Sequence, residues 1–164
     1  MKRVFRYLLC LAMLFLLTGC KSGDSNVITF YYCRDPELYQ YFEEDSVIYA
    51  ESRDLIGHRN DLQYMLGLYL AGPMEEGLVT PFTKSTRLLS VQKTEDTIVI
   101  ELSDHSKSLS DAEYTLSCAC LTLTCTQITS CEEVTVSSGS RTMTLNADNI
   151  LLYDTLPLQE TTGG

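Results

Sequence analysis

Apolar residues recur in this chain at two spacings, and the points where the spacing changes constrain the fold more than any single motif does. Over residues 27–33 and 47–52 they are β-branched or aromatic, as in strands. Over residues 59–71 they fall at Leu62, Met65, Leu66, Tyr69 and Leu70, three and four apart, which lays one apolar stripe along a helix that Asn60 or Asp61 can cap. That helix meets Gly72-Pro73: glycine suits a left-handed closing residue, proline cannot continue a helix, and Pro81 prepares an extended segment after a crossing loop.

The strand pattern then returns. Residues 87–93 and 97–102 flank Thr94-Glu95-Asp96 as a hairpin whose inward residues are expected to be Leu89, Val91, Ile98, Ile100 and Leu102. Helical spacing recurs over residues 110–126, started by Ser110 or Asp111, with Leu109, Ala112, Leu116, Ala119, Cys120 and Leu123 on one side. Residues 133–137 and 141–145 form a last hairpin across Ser138-Gly139-Ser140, with Val134, Val136, Met143 and Leu145 inward, and residues 150–153 read as one more short strand. The order is ββαββαββ. It predicts an α+β fold in which a small mixed β-sheet carries two amphipathic helices packed on one face and leaves the other to solvent or a partner.

The first twenty residues read as an address. Lys2, Arg3 and Arg6 precede an apolar run over residues 8–17, shorter than the ~20 residues a spanning helix needs. The run ends in Leu17-Thr18-Gly19-Cys20, a lipobox, so residues 1–20 are expected to be a lipoprotein signal peptide and Cys20 the lipidated N-terminus of the mature chain. Two acyl chains hold a domain at a bilayer durably where one does not, which places the protein at the extracytoplasmic face of the cell membrane. Residues 21–26 are expected to be a tether, residues 27–153 the domain and residues 154–164 a disordered tail.

Loss of residues 1–20 leaves nine Lys and Arg against 22 Asp and Glu, a formal charge of −13 that repels nucleic acid and anionic headgroups. It also leaves five of seven cysteines: Cys33, Cys118, Cys120, Cys125 and Cys131. The spacing of the last four is not that of a zinc site, and two histidines, His58 and His105, offer little to a metal or a general base, so no cofactor is expected. The cysteines read as small packing residues; the rival reading is a Cys125 to Cys131 disulfide closing the helix-to-strand loop. Asp104-His105-Ser106 has the residue types of a hydrolase, but neighbours on a chain point apart, and the triplet reads as a polar turn.

Taken in order, several segments resemble the GerMN domain of sporulation and spore-germination proteins. They are the first strand with its aromatic pair (Thr29 to Tyr32), the strand ending Glu51-Ser52-Arg53, the helix closing Leu70-Ala71-Gly72-Pro73, and Gly77-Leu78 with Pro81 before Leu88-Leu89-Ser90-Val91. Val99-Ile100-Glu101-Leu102-Ser103 and the strand from Val134 running to Gly139 complete the set. The resemblance spans about residues 27–145 and implies a small α+β unit similar to ring-building modules, many members of which are lipoproteins, with no catalytic residues to transfer. It implies a non-catalytic envelope protein, anchored to the membrane by its lipid, that acts by contact with an envelope protein partner or with itself. The alternative is a lipoprotein binding a cell-wall ligand or solute. Ten tyrosines, seven of them between positions 31 and 69, supply amphipathic rings for either role, with Tyr31 and Tyr49 as the expected interaction surface.

Overall fold

The computed structural model describes residues 27–37, 46–58, 61–104 and 106–150. The expected signal peptide, Cys20, the tether, His105, residues 151–153 of the last short strand and the tail lie outside the described residues.

The α+β class stands, but the strands form two sheets where one was expected. In the first, β1 (Val27–Arg34) pairs antiparallel with β2 (Ile48–Asp54), placing Phe30 opposite Glu51 and Tyr32 opposite Tyr49. A two-residue strand absent from the sequence reading, β3 (Leu78–Val79), pairs with the other edge of β1 at Cys33 and Arg34. The second sheet runs β4 (Leu88–Lys93), β5 (Thr97–Leu102), β6 (Glu133–Ser138), β7 (Arg141–Asn146) in that order. Its β5 and β6 are parallel, which a hairpin cannot achieve, so the chain between them is a crossover that carries a helix.

That helix, α2 (Asp111–Ile128), explains the division. It lies between the sheets, against β1 on one side and β6 and β7 on the other, so the two helices do not share one face of a single sheet. Beyond β3, the edge of β1 meets helix: the Tyr31 N–H donates to Thr124 Oγ1 at 2.9 Å. A buried hydroxyl thus occupies an edge donor that would otherwise recruit another strand.

Burial between two layers also removes the single stripe expected for α2. From Ser117 to Cys125 every residue is buried, whereas Ala112 is exposed and Leu116 half-buried. Small Ser, Thr, Cys and Ala side chains let both sheets approach the helix axis. A capping box starts it, with the Ser110 N–H donating to Glu113 Oε2 at 2.7 Å and the Glu113 N–H to Ser110 Oγ at 3.3 Å.

Ile98, Ile100 and Leu102 of β5 oppose Val134, Val136 and Ser138 of β6, and all six are buried. Leu89 is not inward. A bulge at Leu88–Ser90 puts Leu88 opposite Leu102 and leaves Leu89 as the extra residue, 60% exposed. The first helix, α1 (Leu62–Ala71), is capped by Asp61, which accepts the Tyr64 N–H at 2.9 Å, and buries Met65, Leu66 and Tyr69. Tyr69 stacks on Tyr32 at 5.0 Å between ring centroids and meets Phe82 edge-on at 6.4 Å.

Candidate functional site

Alternation along β1 and β2 sets Phe30, Tyr32, Tyr49, Glu51 and Arg53 on one face, above which α1 ends. Gly72 closes α1 with φ 105° and ψ 173°, a region that only glycine enters readily, and its N–H returns to the Tyr69 carbonyl at 3.1 Å. This turn is more extended than the left-handed closure expected from the sequence. It aims the Gly72 carbonyl at β2, where Arg53 Nη2 donates to it at 2.8 Å and to Tyr32 Oη at 3.1 Å. The Arg53 guanidinium also lies 4.8 Å from the Phe30 ring centroid and pairs with Glu51.

Glu51 completes the latch. Its Oε2 accepts the Met74 and Glu75 N–H groups at 2.8 and 3.0 Å, pinning the loop after the helix. Burial acts to raise the Glu51 carboxyl, but the Arg53 hydrogen bond and the two backbone donors outweigh it and hold the group below the usual carboxylate range. Arg53 Nη2 and both Glu51 oxygens are engaged, Oε1 by Arg53 Nε within β2 and the others in joining strand to loop, so the pair positions backbone.

The latched loop forms one wall of an open groove of about 880 Å³. The second half of α1, with Gly67 and Leu70, supplies another wall, and Phe82 and Leu88 supply apolar surface. Lys84 and Arg87 are exposed among its lining residues, the Arg87 guanidinium being held by the Lys84 and Thr86 carbonyls at 3.0 Å each. Beside the groove the loop exposes Met74 (82% accessible) followed by the exposed carboxylates Glu75 and Glu76.

A family model described as Germane, sporulation and spore germination, matches residues 29–143. The chain belongs to this family. The Germane chain has the fold of the first GerMN domain of the sporulation protein GerM from Bacillus subtilis, at 17% identity and a TM-score of 0.54 over 71% of this chain and 85% of that one. The tandem GerMN domains of the same protein match at 18% identity and a TM-score of 0.49 over 70% of this chain. This chain spans about two fifths of that one, 39%. A putative lipoprotein from Clostridium perfringens matches at 22% identity and a TM-score of 0.44, over 70% of this chain and 75% of that one. No curated protein matches the chain.

The remaining sequence-derived residues fall as follows. Tyr31 and Tyr49 do not form one surface: Tyr49 shares the face of Tyr32, with the Arg34 guanidinium 4.6 Å from its ring centroid, and Tyr31 alternates to the opposite face. Cys125 and Cys131 are separate buried thiols, as are Cys33, Cys118 and Cys120. Burial pushes the Cys118 thiol up to about 11. Ser106 is buried and donates to the Ser138 carbonyl at 3.0 Å, while Asp104 pairs with Lys107 at 2.6 Å, so neither serves the hydrolase reading. Among the described residues no group of three or more His, Cys, Asp or Glu is placed to hold a metal ion, and no helix is long and apolar enough to cross a membrane.

The Gly72-Pro73 stop and the Glu51-Arg53 motif are legible in the sequence, but their meeting is not, nor is the grouping of Gly67, Phe82, Lys84 and Arg87 around a groove. The signal available was the clustering of Pro73, Gly77 and Pro81, which marks a crossing loop with room for no more than the two-residue β3.

Proposed function

We propose that this Germane chain is a non-catalytic, lipid-anchored envelope protein whose domain works by protein contact, with the groove beside the Glu51–Arg53 latch as its docking surface and a second copy of the chain as occupant. The observation that carries the reading is the complementarity of two neighbouring surfaces. Apolar walls with Lys84 and Arg87 form the groove, and the adjoining loop presents an exposed methionine followed by two carboxylates, Glu75 and Glu76. Met74 of one copy fits the apolar walls of the next, and the Glu75 and Glu76 carboxylates that follow it meet Lys84 and Arg87. The anchor is Cys20, within Leu-Thr-Gly-Cys at the end of the apolar run.

Two measurements test this. A fatty-acid probe fed to cells should label the full chain and fail to label Cys20→Ser; equal labelling contradicts the anchor. Light scattering on detergent-extracted full chain should give a mass above one copy that falls to one copy in Gly67→Glu. A Cβ at Gly67 meets nothing within 4 Å, so this substitution enters the groove without disturbing the core. A single-copy mass for the parent chain, or an unchanged mass in the variant, contradicts the contact.

A further inference from the structure

The five described thiols are not equivalent. Cys33 in β1 and Cys120 in the middle of α2, 87 positions apart, bring their sulfurs to 3.9 Å. Cys131 instead brings its sulfur to the Thr94 and Glu95 carbonyls, at 3.8 and 3.7 Å, and both it and Cys125, the pair of the rival disulfide reading, are free thiols. Cys33 is 7% exposed and lines a surface cleft of about 280 Å³ shared with Thr80, Phe82, Leu109 and Glu113, whereas its neighbour Cys120 is 0% exposed.

We propose that Cys33 and Cys120 are a dithiol–disulfide pair, Cys33 attacking from the cleft and Cys120 resolving, whose oxidised form ties β1 covalently to the central helix. The oxidant is an external disulfide of small-molecule or protein origin. The Cys33 thiolate attacks one sulfur of that disulfide, whose S–S bond breaks; the departing thiolate takes up a proton, and a mixed disulfide remains on Cys33. Cys120 then gives up its proton and attacks the Cys33 sulfur, and the second oxidant thiolate leaves and is protonated. Two protein thiols are oxidised and one disulfide is reduced to two thiols.

The order of attack follows from position. Cys33 faces the cleft, and its hydrogen bond with Cys120 lowers its thiol, while that same contact and burial raise Cys120. Bonding requires the sulfurs to close by about 2 Å to the ~2.05 Å of a disulfide. The bridge would act beside the Tyr31-to-Thr124 hydrogen bond, holding α2 over the β1 edge.

The full chain in detergent is incubated with oxidised glutathione, quenched with acid, alkylated under denaturing conditions and mapped by mass spectrometry without reduction. The expected product joins the Cys33 and Cys120 peptides and leaves Cys118, Cys125 and Cys131 alkylated. Its melting midpoint rises by roughly 10 °C over the reduced chain, since the closed loop is long. In Cys33→Ser, and in Cys33→Ala should the serine lower the reduced midpoint, the oxidant produces no rise. Alkylation of both Cys33 and Cys120, a glutathione that persists on Cys33, or a Cys125–Cys131 linkage in the parent chain overturns the proposal.

Discussion

Glu51 and Arg53 are two positions apart on β2, and what they hold is the loop some twenty residues later. Replacing Glu51 by Gln leaves the Arg53 cation among Phe30, Tyr32 and the Gly72 carbonyl without its counter-charge, and the expected loss is about 3 kcal/mol in chemical denaturation. The sign of the pH dependence follows from the lowered carboxyl. A group whose folded pKa lies below its unfolded value of ~4.3 contributes stability above that value and loses it as pH falls through the folded pKa. The parent chain should therefore lose stability more steeply below about pH 4.3 than Glu51→Gln does. Parallel acid limbs in the two denaturation series would remove Glu51 from this role. At the β6–β7 turn, Gly139 has φ 61° and a Cβ there would stand 2.2 Å from Asp104 Oδ1. Gly139→Ala should cost about 2 kcal/mol by denaturant midpoint, from the left-handed backbone and the displaced carboxylate together.

At the scale of elements, α1 was legible because one face is buried and the other is not, so Leu62, Met65, Leu66 and Tyr69 show the helical spacing directly. α2 was legible as a helix but not in its placement, because over Ser117–Cys125 it is covered on all sides and carries no contrast between faces. Its Thr and Cys content reflects two layers approaching closely. The bulge at Leu88–Ser90 was invisible for a related reason: alternation alone assigns Leu89 inward, and only pairing with β5 shows the extra residue. Within α1, Gly67 is exposed, with open space around its Cβ position. Gly67→Ala should stabilise the domain by about 0.5–1 kcal/mol, because alanine lowers the entropy of the unfolded chain at no steric cost. A drop in the denaturation midpoint would mean that the groove wall is tighter than the structure has it.

At the scale of the whole molecule, two sheets clasp a buried helix, and the loop from α1 to β3 emerges at one side, fixed by a buried ion pair and presenting a groove. The class and the family were readable because ordered strand and helix signals survive where individual contacts differ. The groove was not, since Gly67, Phe82, Lys84 and Arg87 meet only after the chain has crossed between sheets. The proposed contact between copies at this groove is checked by a zero-length carbodiimide reagent applied to membranes carrying the full chain, because the reagent joins amines to carboxylates in immediate contact. Peptide mapping should recover Lys84 joined to a peptide carrying Glu75 or Glu76 from a second, isotopically distinct copy, and the product should vanish in Gly67→Glu. Lys84 joined only within its own copy, or a cross-copy product that survives Gly67→Glu, would rule out contact at the groove.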